Sequence, residues 1–159
     1  IMEKALVSGI THSKEECNIT LINLQDKPGI AAKIFAPLSK ANINVDMIVQ
    51  AGSESRKHIN FTFSLSKKDL RNALEQMNAN KKVIGFQRII TNKKLAKISI
   101  VGLGMKTHSG VAQKMFSILA SKKINIHVIS TSEIKISVLI DEKSTEAAVR
   151  ALHKAFKPG

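Results

Sequence analysis

Residues 26–46 of this chain recur, in altered form, as residues 107–127. Gly29 falls on Gly110, Lys33 on Lys114, Phe35 on Phe116, Leu38 on Leu119, and Ile43-Asn44 on Ile124-Asn125, all at an offset of 81 positions. A repeat of this length marks two copies of one supersecondary unit rather than one irregular domain. A length of 159 residues accommodates two such small units.

Hydrophobic spacing predicts the elements of each copy. Asn18–Leu24 reads as a strand, rich in Ile and Leu. Pro28-Gly29 opens a helix, since proline is tolerated in a first turn, and Ile30, Ile34, Phe35 and Leu38 form its apolar stripe. Pro37, late in that helix, is expected to remove a backbone bond or bend the axis. Ile43–Gln50 and Ile59–Leu65 follow as strands, the latter alternating Ile59, Phe61, Phe63 and Leu65. Ser66 with Asp69 reads as a cap for a helix burying Leu70, Ala73, Leu74 and Met77, and Val83–Ile90 as a fourth strand. The order βαββαβ predicts an α+β fold, a four-stranded antiparallel sheet with both helices on one face, as in ferredoxin-like domains.

The second copy runs through strands Ala96–Val101, Ile124–Thr131 and Ile134–Ile140, with helices over 108–122 and 144–156. It lacks a fourth strand, and a sheet does not leave such a slot open. Ala5–Ile10 is the available segment. The first unit, residues 13–93, is therefore expected to be inserted in the second, residues 1–12 plus 94–159.

Other classes fit poorly. The formal net charge is +13, from 25 Lys and Arg against 12 Asp and Glu. Arg occurs only at Arg56, Arg71, Arg88 and Arg150, and the Lys-Lys pairs are scattered, so a solvated surface explains the charge without a nucleic acid partner. No apolar run reaches the ~20 residues of a membrane span. Cys17 is the single cysteine, which excludes an internal disulfide and any paired-cysteine zinc site; a reducing, cytoplasmic setting follows as the expectation. Gly102-Leu103-Gly104 lacks the third glycine of a dinucleotide loop, with Thr107 at that position. Lys106-Thr107 lacks the glycines of a phosphate loop. The histidines have no i, i+4 ligand pair, and no nucleophile, base and oxyanion donor assemble. No catalytic residue, metal or cofactor is expected in this chain.

A binding feature recurs instead at the helix starts. Backbone amides there attract anions, Gly29 and Gly110 permit close approach, and Asp26 offers a carboxylate to an ammonium group. Together they suit a zwitterionic amino acid, although Asp26-Lys27-Pro28-Gly29 equally serves as a turn and helix start.

Asp26-Lys-Pro-Gly-Ile-Ala31 followed by Asn42-Ile-Asn-Val-Asp-Met-Ile-Val-Gln50 resembles the first ACT domain of aspartate kinases. Met105-Lys-Thr-His-Ser-Gly-Val111 and Ile129-Ser-Thr-Ser-Glu-Ile-Lys-Ile-Ser137 resemble the second. The resemblance covers nearly the whole chain, and that family also nests one ACT unit in the other. The Lys-Phe-Gly-Gly-Thr type motif that opens the family's catalytic domain is absent. The resemblance thus implies a free regulatory β subunit or a regulatory fragment, serving an enzyme that phosphorylates L-aspartate with ATP on the route to lysine, threonine and methionine.

It further implies a threonine site of Asp26, Gly29, Ile30, Ala31 and Gln50, completed by Asn125 and Ile126 from a facing ACT unit of a second chain. A lysine site, where one exists, would involve Met105, Thr107, His108, Ser109 and Val111, with Ser132 and Glu133 at its edge. The implied partners are threonine and lysine, a second copy paired through the ACT domains, and a catalytic aspartate kinase chain or domain; the implied outcome is allosteric feedback inhibition. Two other readings share the element order. One is an ACT module of another amino-acid enzyme. The other is an RNA-binding βαββαβ domain, with Phe61 and Phe63 as stacking residues. Alternation opposes the second, because it would turn His58, Asn60, Thr62 and Ser64 toward the core.

Overall fold

The computed structural model describes residues 7–53, 57–102 and 108–157, with the backbone alone for His108. Six strands and five helices follow in the order β1 (Gly9–Gln25), α1 (Ile30–Lys40), β2 (Val45–Gly52), β3 (His58–Ser66), α2 (Leu70–Ala79), α3 (Lys81–Ile84), β4 (Arg88–Val101), α4 (His108–Ser121), β5 (Ile126–Thr131), β6 (Lys135–Asp141) and α5 (Thr145–Phe156). Single 3₁₀ turns, Lys67–Asp69 and Glu142–Ser144, lead into α2 and α5. The chain divides into two compact units, Glu15–Lys93 and the residues on either side of that segment.

In the 15–93 unit the strands lie in the order β2-β3-β1-β4. β1 pairs antiparallel with β3, placing Ile19 opposite Phe63 and Leu21 opposite Phe61; β2 pairs antiparallel with the other side of β3, placing Ile48 opposite Phe63 and Gln50 opposite Phe61. Directly opposed residues project to the same face, so Ile19, Leu21, Phe61, Phe63 and Leu65 form one apolar surface. Ile30, Ile34 and Leu38 of α1 and Ala73 and Met77 of α2 complete that core. Phe35 meets Phe61 edge-on, with ring centroids 5.9 Å apart. With Phe61 and Phe63 buried here, neither ring is available to stack a base.

The outer face of this sheet is polar and internally bonded. Thr20 and Thr62 share a hydroxyl hydrogen bond of 2.8 Å, and the Met47 amide donates to Ser64 Oγ at 2.9 Å.

The second unit repeats the plan in the order β1-β4-β6-β5. Ile98 lies opposite Val138 and Ile100 opposite Ile136, and Met115, Leu119, Ala148 and Leu152 cover them from α4 and α5. The fourth strand position is taken by the chain start: the Ser8 amide donates to the Val101 carbonyl at 2.7 Å. Of the Ala5–Ile10 strand expected there, Ala5 and Leu6 lie outside the described residues.

Two local expectations need correction. Val83–Ile90 is not one strand. Lys81–Ile84 is a short helix closed by Gly85, whose φ of 89° suits the left-handed cap, and the strand begins at Arg88. β-branched Val83 and Ile84 imitate a strand, yet only Ile84 is buried, while Val83 is 61% exposed. Ser66 precedes a 3₁₀ turn and its side chain caps nothing. Pro37 lies inside α1, which runs on to Lys40, and its carbonyl accepts from the Ala41 amide at 3.1 Å.

Cys17 is fully buried, with Sγ directed at the Leu65 carbonyl. Burial, assisted by the neighbouring Glu16 charge, raises its pKa to about 11. The thiol's contribution to stability is therefore complete below pH 9 and is lost as pH climbs toward 11. At pH 8 about one thiol in a thousand is ionised. Alkylation of the folded protein at pH 8 is expected to be at least a hundredfold slower than in denaturant, as measured by mass spectrometry.

Candidate functional site

β1 ends at Gln25, opposite His58, and the next residue is anchored by its backbone. The Asp26 amide donates to the Lys57 carbonyl at 2.8 Å, which ties the β1–α1 loop to the β2–β3 turn and leaves the Asp26 side chain exposed. Lys57 itself holds a left-handed φ of 68°. Gly29 then caps α1 with φ 90° and ψ −4°, and no side chain fills the cap. A Cβ built on Gly29 would meet nothing within 4 Å. Open space therefore lies against the backbone where a carboxylate could approach.

The amides of the first turn are only partly engaged. Ile30 donates to the Lys27 carbonyl at 3.3 Å and Lys33 to the Gly29 carbonyl at 3.1 Å. Among the described residues, the amides of Ala31 and Ala32 are claimed by no acceptor outside the helix. Ala31 is exposed, whereas Ile30 is buried and turns into the core. Thus Asp26, Gly29 and Ala31 form the open corner, and Ile30 supports it from below. Gln50 is exposed and lies on the same sheet face, opposite Phe61, two strand spacings or roughly 10 Å from β1.

The corner recurs in the second unit. The Gly102 amide donates to the Ile134 carbonyl at 2.8 Å, and the Ser132 amide to the Lys135 carbonyl at 2.8 Å, so the end of β4 is tied to the β5–β6 turn as β1 is tied to the β2–β3 turn. Ser109, Ser132 and Glu133 are exposed, and Val111, within α4, is buried. Met105 and Thr107 lie outside the described residues, and His108 contributes a backbone start to α4. Asn125 is exposed just before β5, and Ile126 pairs with Ile140.

Sequence reasoning missed the polar brace behind the first corner. Asn23 takes a left-handed φ of 60° at the β1 bulge. Its amide donates to Asn60 Oδ1 at 2.9 Å, its Nδ2 donates to Gln87 Oε1 at 3.1 Å, and Ser53 Oγ donates to its Oδ1. An asparagine interrupting an apolar strand was the available signal. Sequence reasoning also missed two isoleucines at equivalent positions, Ile48 on β2 and Ile129 on β5, which are 53% and 49% exposed on outer strands.

Residues 18–81 and 98–156 each match the ACT domain family. An aspartokinase of Pseudomonas aeruginosa is 47% identical over 156 residues, covering 98% of this chain and 38% of the relative. One from Helicobacter pylori is 45% identical over 158 residues, again 98% of this chain and 38% of the relative. The chain thus spans about 38% of the length of these curated relatives. Among solved structures, a chain of the aspartokinase alpha and beta subunits superposes with a TM-score of 0.88 at 45% identity, covering 95% of this chain and 99% of that one. The ligand-free regulatory subunit of aspartate kinase from Thermus thermophilus gives 0.87 at 39% identity, covering 94% and 99%.

Because Gly29 sits at φ 90° with open space around it, Gly29→Ala strains the backbone without a clash. It is expected to cost about 1 kcal/mol of stability in urea unfolding, with the fold retained by circular dichroism.

Proposed function

This chain belongs to the aspartate kinase family as a regulatory region of two ACT domains, and from that premise we propose that it binds an amino-acid end product at the Asp26–Gly29 corner and transmits feedback inhibition. The observation carrying the reading is the juxtaposition of an exposed carboxylate, Asp26, with open helix-start amides beside a left-handed glycine. The effector is threonine, lysine or both.

The effector's ammonium group pairs with the Asp26 carboxylate. Its carboxylate accepts from the amides of Ala31 and Ala32, aided by the positive end of α1. Gln50 supplies amide donors and an acceptor for the threonine hydroxyl. Asn125 and Ile126, from a facing unit of a second copy, close the site. Edge pairing of two copies would cover Ile48 and Ile129, whose exposure on outer strands suits such an interface. The corner bearing Ser109, Ser132 and Glu133 is the place for lysine, with Glu133 facing the side-chain ammonium.

The regulated reaction is ATP-dependent phosphorylation of L-aspartate to 4-phospho-L-aspartate, carried out by a catalytic aspartate kinase chain or domain in the cytoplasm. Binding favours one arrangement of the paired ACT units, and the catalytic part follows. A preference of about 1–3 kcal/mol between the two states suffices for that coupling. Among the described residues, no helix is long and apolar enough to cross a membrane.

Isothermal titration with threonine, lysine, methionine and the first two together identifies the effector. Asp26→Ala removes a charge-assisted bond and is expected to weaken threonine binding by roughly 10–100-fold while leaving the unfolding midpoint unchanged, because the side chain is exposed. Unchanged affinity removes Asp26 from the site.

A further inference from the structure

The two units match closely from β3 through α2 and from β6 through α5. Ser66 and Asp141 each precede a 3₁₀ turn, and α2 and α5 each begin at the fourth residue beyond. In that alignment the outward stripe reads Lys67, Arg71, Glu75 in the first unit and Glu142, Glu146, Arg150 in the second. Every charge on the stripe is reversed. The core positions beside it are not: Ala73 and Met77 answer to Ala148 and Leu152, all buried. Leu74 and Val149, at equivalent half-buried positions, flank the charges with apolar surface.

On the first unit this stripe borders a groove of about 630 Å³, lined by Leu70 and Leu74, by Lys67, Arg71 and Glu75 of the stripe, and by Asn78 and Lys93. Arg71 and Glu75 are spaced i, i+4, as are Glu146 and Arg150, yet among the described residues none of the four makes an ion pair. Their charges face outward.

We infer that the α2 groove is a docking surface for α5 of a second copy of this chain, with the two helices parallel. In the parallel register Lys67 faces Glu142, Arg71 faces Glu146 and Glu75 faces Arg150, three opposite-charge pairs repeating every four residues. An antiparallel helix would match only the central pair and would set Lys67 against Arg150 and Glu75 against Glu142. The pattern therefore selects both partner and direction. The surface is separate from the outer strands β2 and β5, so it links copies in addition to any edge pairing.

Sedimentation velocity of the full chain at low and high salt tests this. The wild type is expected to self-associate at low salt beyond its high-salt state. Arg71→Glu alone and Glu146→Arg alone each set like charges face to face and should weaken the association by roughly tenfold. The double variant Arg71→Glu with Glu146→Arg should restore it, which a merely structural effect of either change would not do. In parallel, Asn78→Cys with His153→Cys should give a disulfide-linked dimer on a non-reducing gel, and buried Cys17 does not interfere. Glu75→Cys with Glu142→Cys, the antiparallel pairing, should not. Sedimentation indifferent to salt and to both single reversals overturns the inference, as does failure of the double variant to regain association.

Discussion

The pairing of β1 with β3 is the constraint on which the first unit depends. Ile19 opposite Phe63 and Leu21 opposite Phe61 place these four side chains in the core with α1 and α2. A slip of one residue would exchange them for Asn18, Thr20, Thr62 and Ser64. The same register carries β1 to Gln25 opposite His58, and so delivers the Asp26 amide to the Lys57 carbonyl. The corner is thus positioned by the core through backbone bonds, leaving the Asp26 side chain and the first amides of α1 for another task. The Asn23 brace acts from the opposite side, fixing the bulge that ends the regular ladder.

The second unit keeps the scaffold and changes what it displays. Gly102 and the β5–β6 turn reproduce the tie between strand end and hairpin, and Ile98, Ile100, Ile136 and Val138 reproduce the packed face. In the sequence, Thr107 stands where the first copy has Asp26, between Lys106 and His108. On the outward helix stripe the charges invert. Duplication has therefore held the apolar positions and released the polar ones, which is how one fold comes to carry two distinct surfaces.

Much of this was legible from residues alone. The stripe Ile30, Ile34, Leu38 and the alternation Ile59, Phe61, Phe63, Leu65 each admit one period, and the structure buries all seven. The helix Lys81–Ile84 was not legible, because four residues cannot display a helical period and two of them favour strands; Gly85 was the better indicator of a helix end. The full reach of β1 and β4 was hidden too. Thr11–Glu16 and Thr91–Lys94 are polar and largely exposed, so hydrophobic alternation, the usual signature of a strand, is missing where backbone pairing continues. At the site, Asp26 and Gly29 could be read from the loop, but the anchor could not. It is a main-chain carbonyl at Lys57, and no side-chain pattern records it.

The central claim is that the start of α1, beside Asp26, receives a small zwitterion. An amide chemical-shift titration of the isotope-labelled chain with L-threonine tests it most directly. The account predicts saturable shifts centred on Asp26, Gly29, Ala31 and Ala32, with Gln50 following and D-threonine without effect. Saturable shifts confined to other parts of the fold, with the α1 corner silent, would contradict it.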